Sequence, residues 1–265
     1  MKISIIVPSY NQSDFIEYTF QNLAALKEEL YKVDVDLEIL LFDSCSVEEV
    51  QFIIKKYSKL FDYIEIKKDK GQYDAINKGI LKLTGDYWTW LNTDDLININ
   101  GCTKILNILK KNPDIDYIYG NTLIIDNKGN IIKEYIVNKL TFNSLLNKSS
   151  TIVQPGSFFR TGFTKTLGLL KAYDCGLDYE YVLRLFSKNS NTYRINEIVS
   201  HFRYYPTSKS GSLELKFVNQ QLMISKYYKR SFFSNLTYQL YKRKFKILLK
   251  DNLLNKKNSI KLTIN

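Results

Sequence analysis

Two adjacent carboxylates, Asp94 and Asp95, end the segment Leu91-Asn92-Thr93-Asp94-Asp95, directly after an apolar run that carries Trp88 and Trp90. Like charges at the mouth of a buried strand repel one another unless a cation lies between them, and hard oxygen ligands shared with a phosphate suit Mg2+ or Mn2+. The plain alternative is a surface turn. In either case a loop-mouth position for Asp95 predicts that its removal leaves the fold intact.

Two more polar clusters follow short apolar runs: Val7-Pro8-Ser9-Tyr10-Asn11 and Phe42-Asp43-Ser44-Cys45-Ser46. At the mouth of a sheet, Tyr10 offers a ring that stacks on a base and Asp43 a carboxylate that accepts a pyrimidine N3–H. Ser9 and Asp43 also fit as ordinary helix caps. A further cluster, Asp69-Lys70-Gly71-Gln72-Tyr73-Asp74-Ala75-Ile76-Asn77-Lys78-Gly79, sets Gly71 before a helix, where it permits close backbone approach. Asp74 and Lys78 lie four apart on one face, which reads either as a surface ion pair or as a lysine that neutralises a diphosphate.

These clusters need elements to position them. Residues 2–9, 37–42, 63–67 and 87–91 read as short buried strands, and a fifth strand begins at Tyr117. Residues 14–30, 47–60, 73–83 and 105–111 have helical spacing. This alternation predicts an α/β fold: a mostly parallel, Rossmann-like sheet with helices on both faces and its ligands at the carboxyl ends of the strands. The rhythm then changes. Thr122–Ile125 and Ile131–Val137 flank Asp126-Asn127-Lys128-Gly129-Asn130 as a hairpin, Leu177–Phe186 is helical, Tyr193–Arg203 is extended, and the chain from Leu213 is helical and basic. The expected division is a domain over 1–212, with halves 1–121 and 122–212, followed by a tail over 213–265.

The net charge is +11, but it is concentrated at one end. From Glu214 to Asn265 there are twelve lysines and arginines against Glu214 and Asp251, a balance of +10. The body is nearly neutral, so tail and body meet different partners. Three widely spaced cysteines suggest neither a disulfide framework nor a zinc site. The N-terminal apolar run is too short for a signal peptide, and no stretch approaches the ~20 apolar residues of a membrane span. A cytoplasmic location is expected.

The segments VPSYN, FDSCS, DKGQYDAINKG and LNTDD, in this order and spacing, resemble the family 2 glycosyltransferases of GT-A fold, especially bacterial members that build surface polysaccharides such as capsule or O-antigen. The similarity extends over about residues 1–205. It implies a metal-dependent inverting glycosyltransferase with a nucleotide-sugar donor, usually UDP-linked, and a glycan or lipid-diphosphate-linked acceptor. By the same resemblance Pro8, Tyr10 and Asp43 contact the base, while Gly71, Asp74, Lys78, Asn92 and Asp94 belong to the donor region. Asp95 and Asp94 hold Mn2+ or Mg2+. Asn92 stands where the family's metal motif usually begins with Asp. Asp178, in Gly176-Leu177-Asp178-Tyr179-Glu180, falls on the general base, although by itself an acid there is an ordinary helix cap. Gln154, Arg160 and Glu180 fall on the acceptor side. Many relatives carry a histidine after the Phe-Arg pair, near Tyr205 here. His201 precedes that pair and reads as structural.

The basic tail interleaves its cations with Tyr and Phe, a composition suited to an anionic membrane surface on the inner face of the cell membrane. On a helical wheel, Phe233, Leu236, Leu240 and Ile247 share one face, which is the expected membrane side. The alternative is packing against protein, either the catalytic domain or a second copy of the chain. A nucleotidyltransferase is a rival for the body, but the loop after the first strand lacks the Gly-rich, Arg-bearing form expected of one. A nucleic-acid-binding protein is a rival for the tail and leaves the acidic crevice unexplained.

Overall fold

A computed structural model describes residues 1–148 and 154–262, with backbone alone over 251–262. The side chains of Asp251, Lys256, Lys257 and Lys261 in the basic tail therefore lie outside the described residues. The first half alternates as β1 Lys2–Ser9, α1 Ile16–Lys32, β2 Asp36–Asp43, α2 Glu48–Lys56, β3 Tyr63–Ile66, α3 Gln72–Lys82 and β4 Tyr87–Trp90. A two-residue strand, β5 Leu96–Ile97, leads into α4 Ile99–Lys111. The hairpin β6 Tyr117–Ile125 and β7 Ile131–Tyr135 follows, then α5 Phe142–Asn147, β8 Ser157–Arg160, α6 Thr161–Leu167, α7 Leu177–Phe186 and β9 Thr192–Arg203. Three helices close the chain: α8 Lys209–Ser212, α9 Glu214–Tyr227 and α10 Asn235–Leu262.

Among the described residues the strands form one nine-stranded sheet in the order β3-β2-β1-β4-β8-β6-β9-β5, with β7 on β6. The first four strands are parallel to one another. Beyond β4 the sheet is mixed, because β8 runs antiparallel to both β4 and β6, while β9 returns parallel to β6. The sheet is thus half parallel, where the sequence led us to expect a mostly parallel one. Ser157–Arg160, a strand of four residues inserted between β4 and β6, makes two of the antiparallel pairings, and the β6–β7 and β5–β9 pairs make the others.

Strand residues alternate between two apolar layers. Ile3, Ile5, Val7, Leu37, Ile39 and Leu41 face α1, α2 and α4 in one continuous core with Phe20, Leu23 and Leu106. Each such side chain, fully buried, contributes about 1.5–3 kcal/mol. The opposite layer is aromatic: Trp88, Trp90, Phe159 and Tyr117 stack across three strands, and Tyr181 of α7 closes on Trp88 and Phe159. The Trp88 indole N–H donates to Thr164 of α6 at 2.7 Å. On this side α3 lies hard against β1, since a Cβ on Gly79 would meet Ile6 at 2.5 Å. Only glycine allows that approach.

Helices on opposite faces of β1 and β4 make the β1/β4 junction the point where the winding direction reverses, and ligands of such sheets bind there. The chain divides into two compact units, Met1–Lys139 with Ile152–Tyr204, and Leu140–Thr151 with Tyr205–Asn265. The second unit therefore begins at Tyr205, not 213, and draws in the segment with α5. Within it Val218 of α9 packs with Leu236 and Leu240 of α10.

Candidate active site

Asp43 ends β2 with its carboxylate 1% exposed. It accepts from Ser9 Oγ at 2.7 Å, Ser46 N at 2.9 Å, Ser46 Oγ at 2.6 Å and Gln51 Nε2 at 2.6 Å. Those four donors use the lone-pair sites a carboxylate offers. Asn11 N donates to Ser46 Oγ and its side chain accepts from Val47 N, which locks the β1 and β2 mouths together. Asn11 and Cys45 both turn through positive φ, at 50° and 55°. Left-handed backbone at non-glycine residues is costly, and it clusters at ligand clamps. Pro8 is buried in β1, in register with Phe42, whereas the Tyr10 ring stands in solvent.

The turn before α3 hangs on the same mouth, because Asp69 N donates to Ser44 Oγ at 3.0 Å. Gly71 then adopts φ 117°, a conformation that side-chain-bearing residues avoid, and Asp74 accepts from Lys70 N. Lys78 does not pair with Asp74. Its ammonium meets Glu65 on β3 at 2.8 Å, which raises the Lys78 pKa and lowers that of Glu65. The reason is geometric: α3 lies on the sheet and turns Lys78 toward the strand beside it.

From α3 a chain of hydrogen bonds crosses to the β4 mouth. Gln72 Nε2 donates to Asn92 Oδ1 at 2.6 Å, and Asn92 Nδ2 donates to Asp95 Oδ2 at 3.1 Å. Arg203 N at the end of β9 donates to Asp95 Oδ1 at 3.0 Å, and Arg203 Nε donates to the Asp94 carbonyl. The Arg203 guanidinium lies over Phe15 at 4.7 Å and also donates to the Asp126 carbonyl. Asp95 is 0% exposed, which corrects the picture of a freely removable loop residue. Burial, followed by the Asp94 charge, pushes the Asp95 carboxyl well above the usual carboxylate range, against the pull of Arg203 and Asn92. Asp94 is half-buried.

Among the described residues no three His, Cys, Asp or Glu side chains converge as a metal cage. What the β4 mouth offers is one half-buried aspartate, Asp94, backed by a buried one, Asp95. That donor set fits a hard divalent ion that keeps its waters and shares phosphate oxygens. It does not fit an ion held by protein alone.

Gln154 is buried beneath this mouth and donates to the Trp90 carbonyl at 2.6 Å. Asp178 sits half-buried in the first turn of α7, and its charge acts on the buried Tyr117 phenol, whose pKa burial already raises. Glu180, by contrast, is buried in ion pairs with Lys171 at 3.0 Å and Arg184 at 2.9 Å. Arg184 in turn holds the Leu167 and Leu169 carbonyls, so Glu180 clamps α7 onto the segment after α6. Arg160 lies at the far end of the sheet: it is in register with Tyr87, the first residue of β4, and its guanidinium grips Asp116. The antiparallel run of β8 carries it away from the crevice, so Arg160 is not positioned to meet an acceptor. His201 lies inside β9 opposite Leu96, with its ring 3.4 Å from Asn98.

Residues 4–168, more than half of the chain, match Glycosyl transferase family 2. The chain belongs to that family. An uncharacterized glycosyltransferase of Haemophilus influenzae is 26% identical over 222 residues, covering 80% of this chain and 71% of that one. A poly-beta-1,6-N-acetyl-D-glucosamine synthase of Staphylococcus aureus is 28% identical over 131 residues, 49% of this chain and 30% of the synthase. Among solved structures, S. aureus TarS 1–349 in complex with UDP-GlcNAc superposes with a TM-score of 0.68 at 15% identity, over 93% of this chain and 73% of that one. The mannosyltransferase PcManGT from Pyrobaculum calidifontis, in complex with GDP-Man and Mn2+, gives 0.63 at 16% identity, over 90% and 69%. Likeness at this identity shows the GT-A fold. The chain spans less than a third of the synthase and 44% of a longer TarS structure.

For a family 2 glycosyltransferase, the crevice contains four residues that sequence reasoning did not select: Ser46, Gln51, Gln72 and Arg203. Gln72 and Ser46 stand inside the quoted segments, and Arg203 inside the Phe-Arg pair, so proximity to a motif was the available signal. Gln51 had none, since only the fold of α2 brings its amide to Asp43.

Proposed function

We propose that this family 2 enzyme transfers a sugar, with inversion, from a nucleoside diphosphate sugar, most simply UDP-linked, to a hydroxyl of a glycan or lipid-linked acceptor. The observation that carries the proposal is the convergence of three wired loop mouths, those of β1, β2 and β4, at the reversal point of the sheet. The TarS complex with UDP-GlcNAc supports the choice of donor. The base would stack on Tyr10. It would reach Asp43 as the Gln51 amide swings out, because Gln51 is the one partly exposed side chain among the donors to that carboxylate.

Asp94 is the carboxylate we assign to Mn2+ or Mg2+ together with the diphosphate oxygens, with Asp95 fixing the loop behind it. Such an ion, when bound, offsets the negative charge of the departing diphosphate. Lys78 adds to this field only by sharing its ammonium with Glu65. The acceptor oxygen attacks the anomeric carbon, the bond from that carbon to the phosphate oxygen breaks, and the hydroxyl proton passes to the Asp178 carboxylate. Asp178 suits this role because it is half-buried in the first turn of α7, whereas Glu180 is fully buried.

Turnover of a panel of nucleotide sugars with Mn2+ tests the reading. Asp178→Asn should lower turnover by ~10²–10⁴-fold with donor affinity retained, since only proton transfer is removed. Lost donor affinity with unchanged turnover at saturation would take Asp178 out of the base role.

A further inference from the structure

Helix α10 carries two apolar stripes, and only one of them is used. Leu236 and Leu240 are buried against Val218, with Ile247 and Leu222 packed beside them. This corrects the expectation that Leu236, Leu240 and Ile247 face a membrane: they are the inner seam of the α9–α10 pair. The second stripe runs Tyr238, Tyr241, Phe245, Leu248 and Leu249, all exposed. Its spacing of three, four, three and one is that of a single helical face. Lys242, Lys246 and Lys250 repeat every fourth residue along one border of that face and are exposed too. Just before the helix, Phe232 is 73% and Phe233 93% exposed, next to Lys229 and Arg230.

We infer that the outer face of α10, together with the Phe232-Phe233 turn, docks the protein onto an anionic lipid surface. An apolar centre with cations along its edge suits burial at the acyl boundary, with the ammonium groups among anionic head groups. Among the described residues no helix is long and apolar enough to cross a membrane, so this contact lies in the interface plane. Two other occupants fit the face less well. A nucleic acid needs cations at the centre of the contact, where here there are Tyr and Phe. A second copy packed antiparallel about a two-fold axis would set the row of Lys242, Lys246 and Lys250 against its own equivalent, bringing like charges together. The inference does not rest on the proposed reaction, because its readout requires no nucleotide sugar.

The test is co-sedimentation of the full chain with vesicles of phosphatidylcholine alone and of phosphatidylcholine with phosphatidylglycerol. Every substituted residue is exposed, so the variants keep the fold, which circular dichroism verifies. The chain should bind the anionic vesicles, and binding should weaken with added salt. K242Q/K246Q should weaken it by roughly 25-fold, about fivefold per lysine near the surface. Phe245→Ser should weaken binding at every salt concentration. Equal binding by all variants, or no binding by the wild type at low salt, overturns the inference. So does a dimer in sedimentation equilibrium that Phe245→Ser dissociates without any change in vesicle binding.

Discussion

At the residue scale, we assign Asp94 and Asp95 to two tasks that one sequence motif had joined. The Asp95 carboxylate is closed off from solvent and ties the β4 mouth to Arg203 at the end of β9. Asp94 is half-buried. Asp95→Ala strands the Arg203 N–H and the Asn92 amide in a buried site, and should cost about 1–3 kcal/mol in denaturant unfolding. Asp94→Asn should abolish the part of UDP affinity that depends on Mn2+, as read by calorimetry. The reverse assignment of losses would show that Asp95 is the ion's ligand and Asp94 the structural partner. The pair itself was legible, since adjacent acids after an apolar strand need an explanation. Their burial was not, because β9, more than a hundred residues further on, is what covers Asp95.

At the element scale, the βα repeats of the first half were legible because each strand is a short, mostly apolar run and each helix keeps its three-to-four spacing. Two features escaped. The four-residue strand β8 is too short to show a period of two, and it runs antiparallel between β4 and β6. Helix α4 starts at Ile99, ahead of the expected 105–111, where Asn98 caps it by accepting from Gly101 N. The wheel of α10 showed an apolar face but could not say which of two faces meets α9. Strand β9 also carries a titrating group. Burial, and then the Arg203 charge, hold the His201 pKa below the ordinary imidazole value. The native state therefore favours neutral His201, and the unfolded chain takes up the proton first as pH falls. Stability is intact above the unfolded pKa, and relative to His201→Gln the wild type should lose stability as pH drops below about 6.5. Urea unfolding at pH 7.5 and 5.5 measures that gap. A gap independent of pH would mean that His201 acts through packing alone.

At the scale of the whole molecule, charge and chemistry separate along the chain. A nearly neutral unit carries the crevice, and a tail with a +10 balance carries an exposed aromatic face. That separation was visible in the sequence, whereas the inclusion of Leu140–Thr151 in the second unit was not, because it depends on contacts between chain-distant segments. The central claim is that the three strand mouths form one nucleotide site. Hydrogen–deuterium exchange of the full chain, with and without UDP and Mn2+, tests it most directly. The account predicts slowed exchange in residues 9–11, 43–47, 69–72 and 92–95 and none in α9 or α10. Protection confined to α9 and α10, or none at the strand mouths with UDP, GDP or CDP, would contradict it.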